Sequence, residues 1–578
     1  MRLVVDKKAV AEELDKIAAF MELKGENPFR VRAFRSAART VKGLPKSIET
    51  ALEDGSLAST RGIGPSTLQV IHDVMASGRS QLLEDLRGQV PPGLVDMLAI
   101  SGLGVARIRQ IHSTLGIETL PELEVAALDG RLAKLPRFGH RTASNIAKAI
   151  AYLQRSREFK LVHHATDEAE RLVGALGRMP RVTAAIVAGD LRRRCELVRD
   201  LVVLLIADAT PADVFQRLSQ LPGIQEFASR DERRVTVQFA GGGTATIVVT
   251  TPVNAGTVLV QVTGSPEHLA QVESHARSLG YTTSGAALWR GSTFVPTPDE
   301  QTFYRALGLE LIPPELREGS DEITAAETGG LPSLVEAGDL RGVLHCHTPD
   351  SDGSSSIEEL ALAAREAGYE YLGVSDHSHS AAYAGGLSAT DLRRQGDEID
   401  AVNAAVSGIR VLKGVESDIL PDGALDYDAA TLDTLDFVIA SIHNRLTMPK
   451  DEMTARLLTA IDNPYVTIIG HPTGRLLLAR SAYEVDLDRV FEKAATSGVA
   501  IEINADPHRL DLDWRVLRRA RDLGVVIAIG ADAHNAAGLS NVSFGVGVAR
   551  KGWLTRKHVL NTQSCGEFIA FAQDRRNP

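Results

Sequence analysis

Cysteine is scarce in this 578-residue chain: Cys195, Cys346 and Cys565 stand far apart and never form a CxxC pair. Neither a disulfide framework nor a cysteine zinc finger is suggested, and the usage fits a reducing cytosol. Long apolar runs are missing as well; nowhere do about 18 consecutive apolar residues occur. The opening stretch MRLVVDKKAVAEELDKIA has no apolar signal core. The chain is therefore expected to be cytoplasmic and to have no membrane partner. Excess positive charge is also absent, since 63 Lys+Arg against 74 Asp+Glu leave a net −11. A protein basic over its whole surface is thus excluded, although phosphate binding normally calls for positive charge. The distribution softens this exclusion, because residues 1–150 carry 21 basic and 17 acidic side chains and the remainder 42 and 57. An acidic domain that binds several divalent cations recovers part of its charge when loaded.

What is present suffices for several cores. The hydrophobic fraction of 44% and charged fraction of 24% are those of an ordinary globular protein, and the length suggests roughly three to five domains. Residues 1 to 155 show short helical patterns separated by glycine turns and almost no strand alternation. Three stretches repeat one design: RGIGPSTLQVI (61–71), SGLGVARIRQI (101–111) and PRFGHRTASNI (136–146) each set glycine just before an amphipathic helix. Such a turn presents backbone N–H groups at a helix N-terminus, which can receive a DNA phosphate without reading bases. Gly62, Gly64, Gly102, Gly104 and Gly139, with Arg107 and the nearby Arg61, Arg109, Arg137 and Arg141, are the candidate DNA-binding residues.

From about 160 to 315 the pattern becomes mixed, with strand candidates TAAIVAG, DLVVLLIA, RRVTVQFA and TATIVVTT. A stretch rich in proline, glycine and acids (313–339) reads as a loose connector. Beyond 341, strands and helices alternate, the signature of a parallel α/β domain. Seven apolar runs can be drawn there: RGVLHCH, YLGVSDH, IRVLKGVES, DFVIASIH, VTIIGH, GVAIEIN and VVIAIGADAH. Each ends in a potential metal ligand. In a parallel barrel all C-terminal strand ends meet at one face, so these side chains converge. Positions i and i+2 of a strand share a face, which is the simplest way to aim His345 and His347 together. The candidate ligands are His345, His347, Asp352, His377, Glu416, His443, His471, Asp532 and His534, with Asp376, Glu502 and Asn504 as supports. Any one alone would pass for an ordinary histidine or turn carboxylate; seven successive strand ends do not. A donor set this rich in imidazole suits two or three ions of the Mn, Zn or Fe type. Such a centre fits phosphoester hydrolysis, for which Glu416 is the central catalytic candidate, and Arg475 and Arg509 are candidate phosphate clamps.

The segments SDHSHSAAYAGGLS, IASIHNRLTMPKDEMTARLLTAIDNPYVTIIGHPTGRLL and IEINADPHRLDLDWR resemble the PHP (polymerase and histidinol phosphatase) domain of bacterial and archaeal family X DNA polymerases. NPFRVRAFRSAART resembles that family's lyase-like N-terminal domain, and LGLELIPPELREGSDEI its polymerase-to-PHP junction. The resemblance implies a multidomain chain. Helix-hairpin-helix domains would span 1–84 and 85–155, an α+β nucleotidyltransferase-like palm 156–252, a thumb 253–315, a linker 316–338 and a distorted (β/α)7 PHP barrel 339–578. It also implies three metals. One would take His345, His347, Glu416 and Asp532; a second Glu416 and His443, with His471 as a further candidate; the third Asp352, His377 and His534.

The palm departs from the family's pattern. The expected Asp-x-Asp falls at Asp200 and Val202, Asp190 stands where a serine is expected near the triphosphate, and Thr246 falls at the third aspartate. One carboxylate does not readily hold two Mg²⁺, so templated synthesis is expected to be lost or severely weak. The resulting expectation is a monomeric DNA-repair hydrolase acting on gapped, nicked or 3′-end DNA as a 3′–5′ exonuclease, 3′-phosphatase or abasic-site enzyme. Its rivals are an active gap-filling polymerase, a small-molecule phosphatase of the histidinol-phosphate type and a non-catalytic DNA-binding protein.

Overall fold

A computed structural model describes residues 7–42, 44, 48–60, 62–77, 80–100, 103–221, 223–239 and 243–576. The chain divides into two compact units, 1–158 and 159–578. Among the described residues no helix is long and apolar enough to cross a membrane.

Among the described residues of the first unit, helices are the regular elements. Apolar residues at helical spacing, such as Val105, Ile108 and Ile111 in the helix Val105–Leu115, bury one stripe and leave the basic residues outside. A single hydrophobic cluster runs from Val10 to Ile150 and crosses the 84/85 boundary expected from sequence. The three glycine turns behave differently. At Gly62 (φ +99°) a Cβ would lie 2.8 Å from Thr40 Oγ1, so this glycine is required for packing. Gly64, Gly104 and Gly139 have no atom within 4 Å of a Cβ position. These three turns are open to close approach. Gly102 and Arg61 lie outside the described residues.

In the second unit, β1 (Val182–Ala188), β2 (Leu201–Ala207), β3 (Ile224–Arg230), β4 (Arg234–Phe239) and β5 (Thr244–Thr250) form a sheet in the order β1-β2-β5-β4-β3. Only the β2–β5 pair is parallel. β3 was not among the sequence candidates because IQEFASR is a mostly exposed edge strand without apolar alternation. Helices Ala255–Thr263 and Pro266–Ser278 follow, then an antiparallel sheet of β6 (Tyr281–Ser284), β7 (Ala287–Arg290) and β8 (Thr293–Val295).

The connector after residue 312 is not loose. Arg317 is fully buried, donating to the Ile312 carbonyl at 3.0 Å and pairing with Glu300 at 2.5 Å. Glu315 pairs with Arg550 at 2.7 Å, Asp321 with Arg518 at 2.5 Å, and Glu318 with both Arg193 and Lys551. Three of the acids that suggested a solvated linker, Glu315, Glu318 and Asp321, thus find cations on packed neighbours.

The C-terminal part is a parallel sheet of β9 (Gly342–Cys346), β10 (Tyr371–Val374), β11 (Arg410–Lys413), β12 (Glu416–Asp418), β13 (Ile439–Ser441), β14 (Ile468–Ile469), β15 (Ala500–Asn504) and β16 (Ile527–Ala533). Its order is β11-β10-β9-β16-β15-β14-β13-β12. The two end strands are halves of one run, IRVLKGVES, broken at Gly414, where a Cβ would lie 2.3 Å from the Phe437 ring. The first half pairs with β10 and the second with β13. Where they part, Glu416 N–H donates to the Asp376 carbonyl and Ser378 N–H to the Glu416 carbonyl, both at 3.0 Å, which curls the sheet toward closure. The seven expected runs thus give eight strands. Leu344, Tyr371, Leu412, Phe437, Ile439 and Ile468 fill the floor of the barrel with Phe568 of the helix Cys565–Asp574. The floor is sealed, so chemistry is confined to the C-terminal strand ends.

Candidate metal centre

The nine ligand candidates meet at those strand ends. Glu416, 1% exposed, is the hub. Its carboxylate lies 2.8 Å from His377 Nδ1, 2.8 Å from His471 Nε2, 3.3 Å from His443 Nε2, 3.4 Å from His345 Nε2 and 3.9 Å from His347 Nε2. Asp532 Oδ1 lies 3.3 Å from His347 Nε2 and 3.8 Å from His345 Nε2. Asp352 lies 3.4 Å from His534 Nε2 and 3.7 Å from both His347 Nδ1 and His377 Nε2. Ligand atoms close enough to share an ion fall into four overlapping groups: His345, His347 and Asp532; His345, Glu416 and His471; His377, Glu416 and His443; and His347, Asp352, His377 and His534.

Local backbone explains the convergence. His345 occupies φ +63° at a bulge where the pairing of β9 shifts register against both neighbours. A bulge re-aims a side chain, so the two histidines converge through a bulge and not through plain i, i+2 alternation. His471 (φ +23°) and Asp532 (φ +48°) also sit in the left-handed region, which costs free energy that the surrounding contacts must offset. Gly530 is required beneath them. A Cβ there would fall 1.9 Å from Glu502 Oε1.

Outer carboxylates orient the rings. Glu502 accepts from His345 Nδ1–H at 2.5 Å and from the His471 backbone N–H at 2.6 Å, and Asn504 bridges Glu502 to Asp532. Asp376 accepts from the N–H and hydroxyl of Thr348 and from Gln395, fixing the loop that carries Asp352. Asp418, absent from the sequence candidates, accepts from His443 Nδ1–H at 2.5 Å. Its signal was available in VESD, two positions after Glu416 on the same face of a strand.

The electrostatics are those of a site built for cations. Burial disfavours the Glu416 carboxylate, yet His443, His377 and His345 hold its pKa well below the ordinary value. Burial likewise works against charged His345, but Glu502, Glu416 and Asp532 hold it well above the ordinary imidazole value. His443 is carried up to about 9 against burial by Glu416 and Asp418. Six of the fourteen buried side-chain polar atoms without a hydrogen-bond partner among the described residues belong here: His345 Nε2, both nitrogens of His347, His377 Nδ1, Glu416 Oε2 and His471 Nδ1. Buried polar atoms are normally satisfied. Their concentration, with the Nδ1 atoms of His345 and His443 held by carboxylates, fits metal ions as the missing partners.

The two arginines differ. Arg509 reaches Asp532 Oδ2 with Nε at 3.3 Å. Arg475 is engaged by the 509–513 loop, donating to the Arg509 carbonyl at 3.0 Å, to the Leu510 carbonyl and to Asp513 at 2.6 Å.

On the five-stranded sheet, Val202 of β2 stands in register opposite Thr246 of β5. Thr246 is within 3.3 Å of Thr236 Oγ1, and Val202 packs on the apolar cluster around Leu204 and Val248. Asp200 is exposed just before β2. Asp190 accepts from Arg193 at 2.8 Å and from Arg199 N–H at 3.1 Å. Among the described residues, no group of three possible metal ligands forms there.

Helical hairpins, an α+β sheet with its following helices, and a parallel barrel converging histidines and carboxylates define a DNA-binding enzyme that carries a metal-dependent phosphoesterase domain. Family models agree: a helix-hairpin-helix domain matches residues 5–80, a SAM-like helix-hairpin-helix tandem 94–151, a DNA polymerase beta thumb 258–318 and a PHP domain 344–506. The chain is 37% identical over 569 residues to the DNA polymerase/3′-5′ exonuclease PolX of Bacillus subtilis (strain 168), covering 98% of this chain and 99% of that protein. It is 31% identical over 229 residues to a probable phosphatase of Thermoanaerobacter sp. (strain X514), covering 38% of this chain and 89% of that protein. The chain belongs to the PolX family.

Proposed function

We propose that this PolX-family chain hydrolyses phosphoesters at the ends of gapped, nicked or 3′-terminated DNA, and that its barrel holds the only working catalytic centre. The carrying observation is the environment of Glu416, a buried carboxylate within 4 Å of five imidazoles. We assign His345, His347, Asp352, His377, Glu416, His443, His471, Asp532 and His534 as ligands of two or three divalent ions of the Mn, Zn or Fe type. When bound, such ions supply an activated water near neutral pH and neutralise charge growing on phosphoryl oxygens. Glu416 holds the centre together by serving several histidines at once. Arg509 is the cation placed beside the centre to receive a phosphoryl oxygen, whereas the contacts of Arg475 suit holding the 509–513 loop. The open turns at Gly64, Gly104 and Gly139, with Arg107, grip the backbone.

The same reading assigns the five-stranded sheet to a scaffold in which nucleotidyl transfer is lost or severely weak. Val202 and Thr246 face one another where carboxylates would be needed, and Asp190 is occupied by Arg193. A gap-filling polymerase is the second reading, favoured by the similarity to the Bacillus subtilis DNA polymerase/3′-5′ exonuclease. A histidinol-phosphatase-like activity leaves the first 310 residues without a role. Incubating the Mn²⁺-loaded protein in parallel with 5′-labelled DNA and with histidinol phosphate tests the substrate class. Shortening of DNA that His345→Ala abolishes is expected; robust phosphate release from histidinol phosphate with inert DNA would sink this proposal.

A further inference from the structure

Tyr383 stands out in the barrel domain. Among the described residues of 339–578 it is the one large apolar side chain left mostly exposed, at 71%. Its ring lies beside the metal centre, 6.1 Å from that of His377 and 6.2 Å from that of His443. The interplanar angles are 58° and 64°, so neither imidazole is stacked parallel on the phenol. Apart from these edge contacts, most of the ring stays in solvent.

The loop that presents Tyr383 is nonetheless fixed. Ser380 N–H donates to Asp426 at 2.6 Å, and Ser380 Oγ to Asp418 Oδ2 at 3.0 Å. Leu387 N–H donates to the His377 carbonyl at 2.9 Å, and Tyr427 OH to the Leu387 carbonyl at 2.5 Å. Gly386 packs so closely that a Cβ would lie 1.9 Å from the Ser378 carbonyl oxygen. The loop is thus braced against Asp418, which also orients His443. A rigid, solvent-facing aromatic ring next to a phosphoester-cleaving centre has the properties of a base platform, because every base offers a π-face and stacking needs no sequence.

We propose that Tyr383 stacks the base of the nucleotide whose phosphoester is cut, making it the residue that separates a DNA end from a small phosphate ester. The proposal rests on the DNA-end reading above. Stacking pays no ordering cost in the loop, since the loop is already held. The hydroxyl is dispensable in this role, as the ring face makes the contact.

The test crosses protein and substrate deletions in the full-length, Mn²⁺-loaded chain. Wild type, Tyr383→Phe and Tyr383→Ala are assayed on one strand ending in an ordinary nucleotide and on a second ending in an abasic residue. For Tyr383→Ala, kcat/KM on the ordinary end is expected to fall by about 5- to 150-fold, mostly in KM, matching the ~1–3 kcal/mol of one base on one aromatic ring. Tyr383→Phe should restore it, and the preference for the base-bearing end should collapse in Tyr383→Ala alone. Equal losses on both ends, or no loss on either, overturn the stacking role while the DNA-end reading stands. A wild type inert on both strands overturns the DNA-end reading itself, and the stacking role with it.

Discussion

Replacing Asp418 probes how the centre is built without touching a proposed ligand. Its Oδ1 accepts from His443 Nδ1–H at 2.5 Å while Oδ2 accepts from Ser380, and the residue is 1% exposed. Asp418→Ala removes both the hydrogen bond and the negative charge that keep Nε2 of His443 aimed at Glu416. Losing such an outer partner typically costs about 10- to 100-fold in metal affinity, or ~1.4–2.8 kcal/mol. Asp418→Asn keeps an oxygen for His443 but drops the charge, so its loss should sit near the lower end of that range. Isothermal titration of the stripped proteins with Mn²⁺ or Zn²⁺ measures both affinity and stoichiometry, with circular dichroism confirming the fold. The alanine variant binding the full set of ions as tightly as wild type would refute the reasoning, because the ring would then need no outer support.

Three further outcomes follow from particular contacts. Gly530→Ala, which forces a methyl into Glu502, should destabilise by about 1–3 kcal/mol as overpacking does and lower the bound-metal count by elemental analysis. Gly104→Leu closes an open turn and should weaken binding to nicked duplex by about tenfold, the scale of one hydrogen bond to a charged group, with no change in the metal titration. Glu300 is driven by burial toward a higher pKa, but Arg192 and Arg317 take it from 4.5 down to about 2. Its folded pKa is depressed, so its contribution of about 3 kcal/mol is complete above pH 4.5 and is lost as pH falls toward 2. Glu300→Gln should flatten the fall in Tm between pH 5 and 3; an unchanged acid limb would show that the buried pair carries no such linkage.

Much of the barrel was legible in the sequence because one physical rule governs it: parallel strands bring their C-terminal ends to one face. Every one of the nine ligand candidates therefore lands in the cluster. The manner of convergence was not legible, since the left-handed bulge at His345 depends on pairing with both neighbouring strands. The break at Gly414 was hidden for a similar reason; it is set by the Phe437 ring across the barrel. Asp418 had a signal in its spacing from Glu416, whereas the engagement of Arg475 by the 509–513 loop had none. The acidic connector misled because composition records charge but not the long-range partners Arg193, Arg518, Arg550 and Lys551. On the five-stranded sheet the reverse holds. The resemblance alone puts Thr246 at the third aspartate, and the register sets it directly across from Val202.

The central claim is that the barrel holds the one working catalytic centre. Gapped DNA labelled at the 5′ end of the primer strand, incubated with Mn²⁺ and all four nucleotides, reports extension and shortening in one lane. The account predicts shortening that His345→Ala abolishes and Asp200→Ala leaves in place. Extension beyond the starting primer that disappears in Asp200→Ala would contradict it.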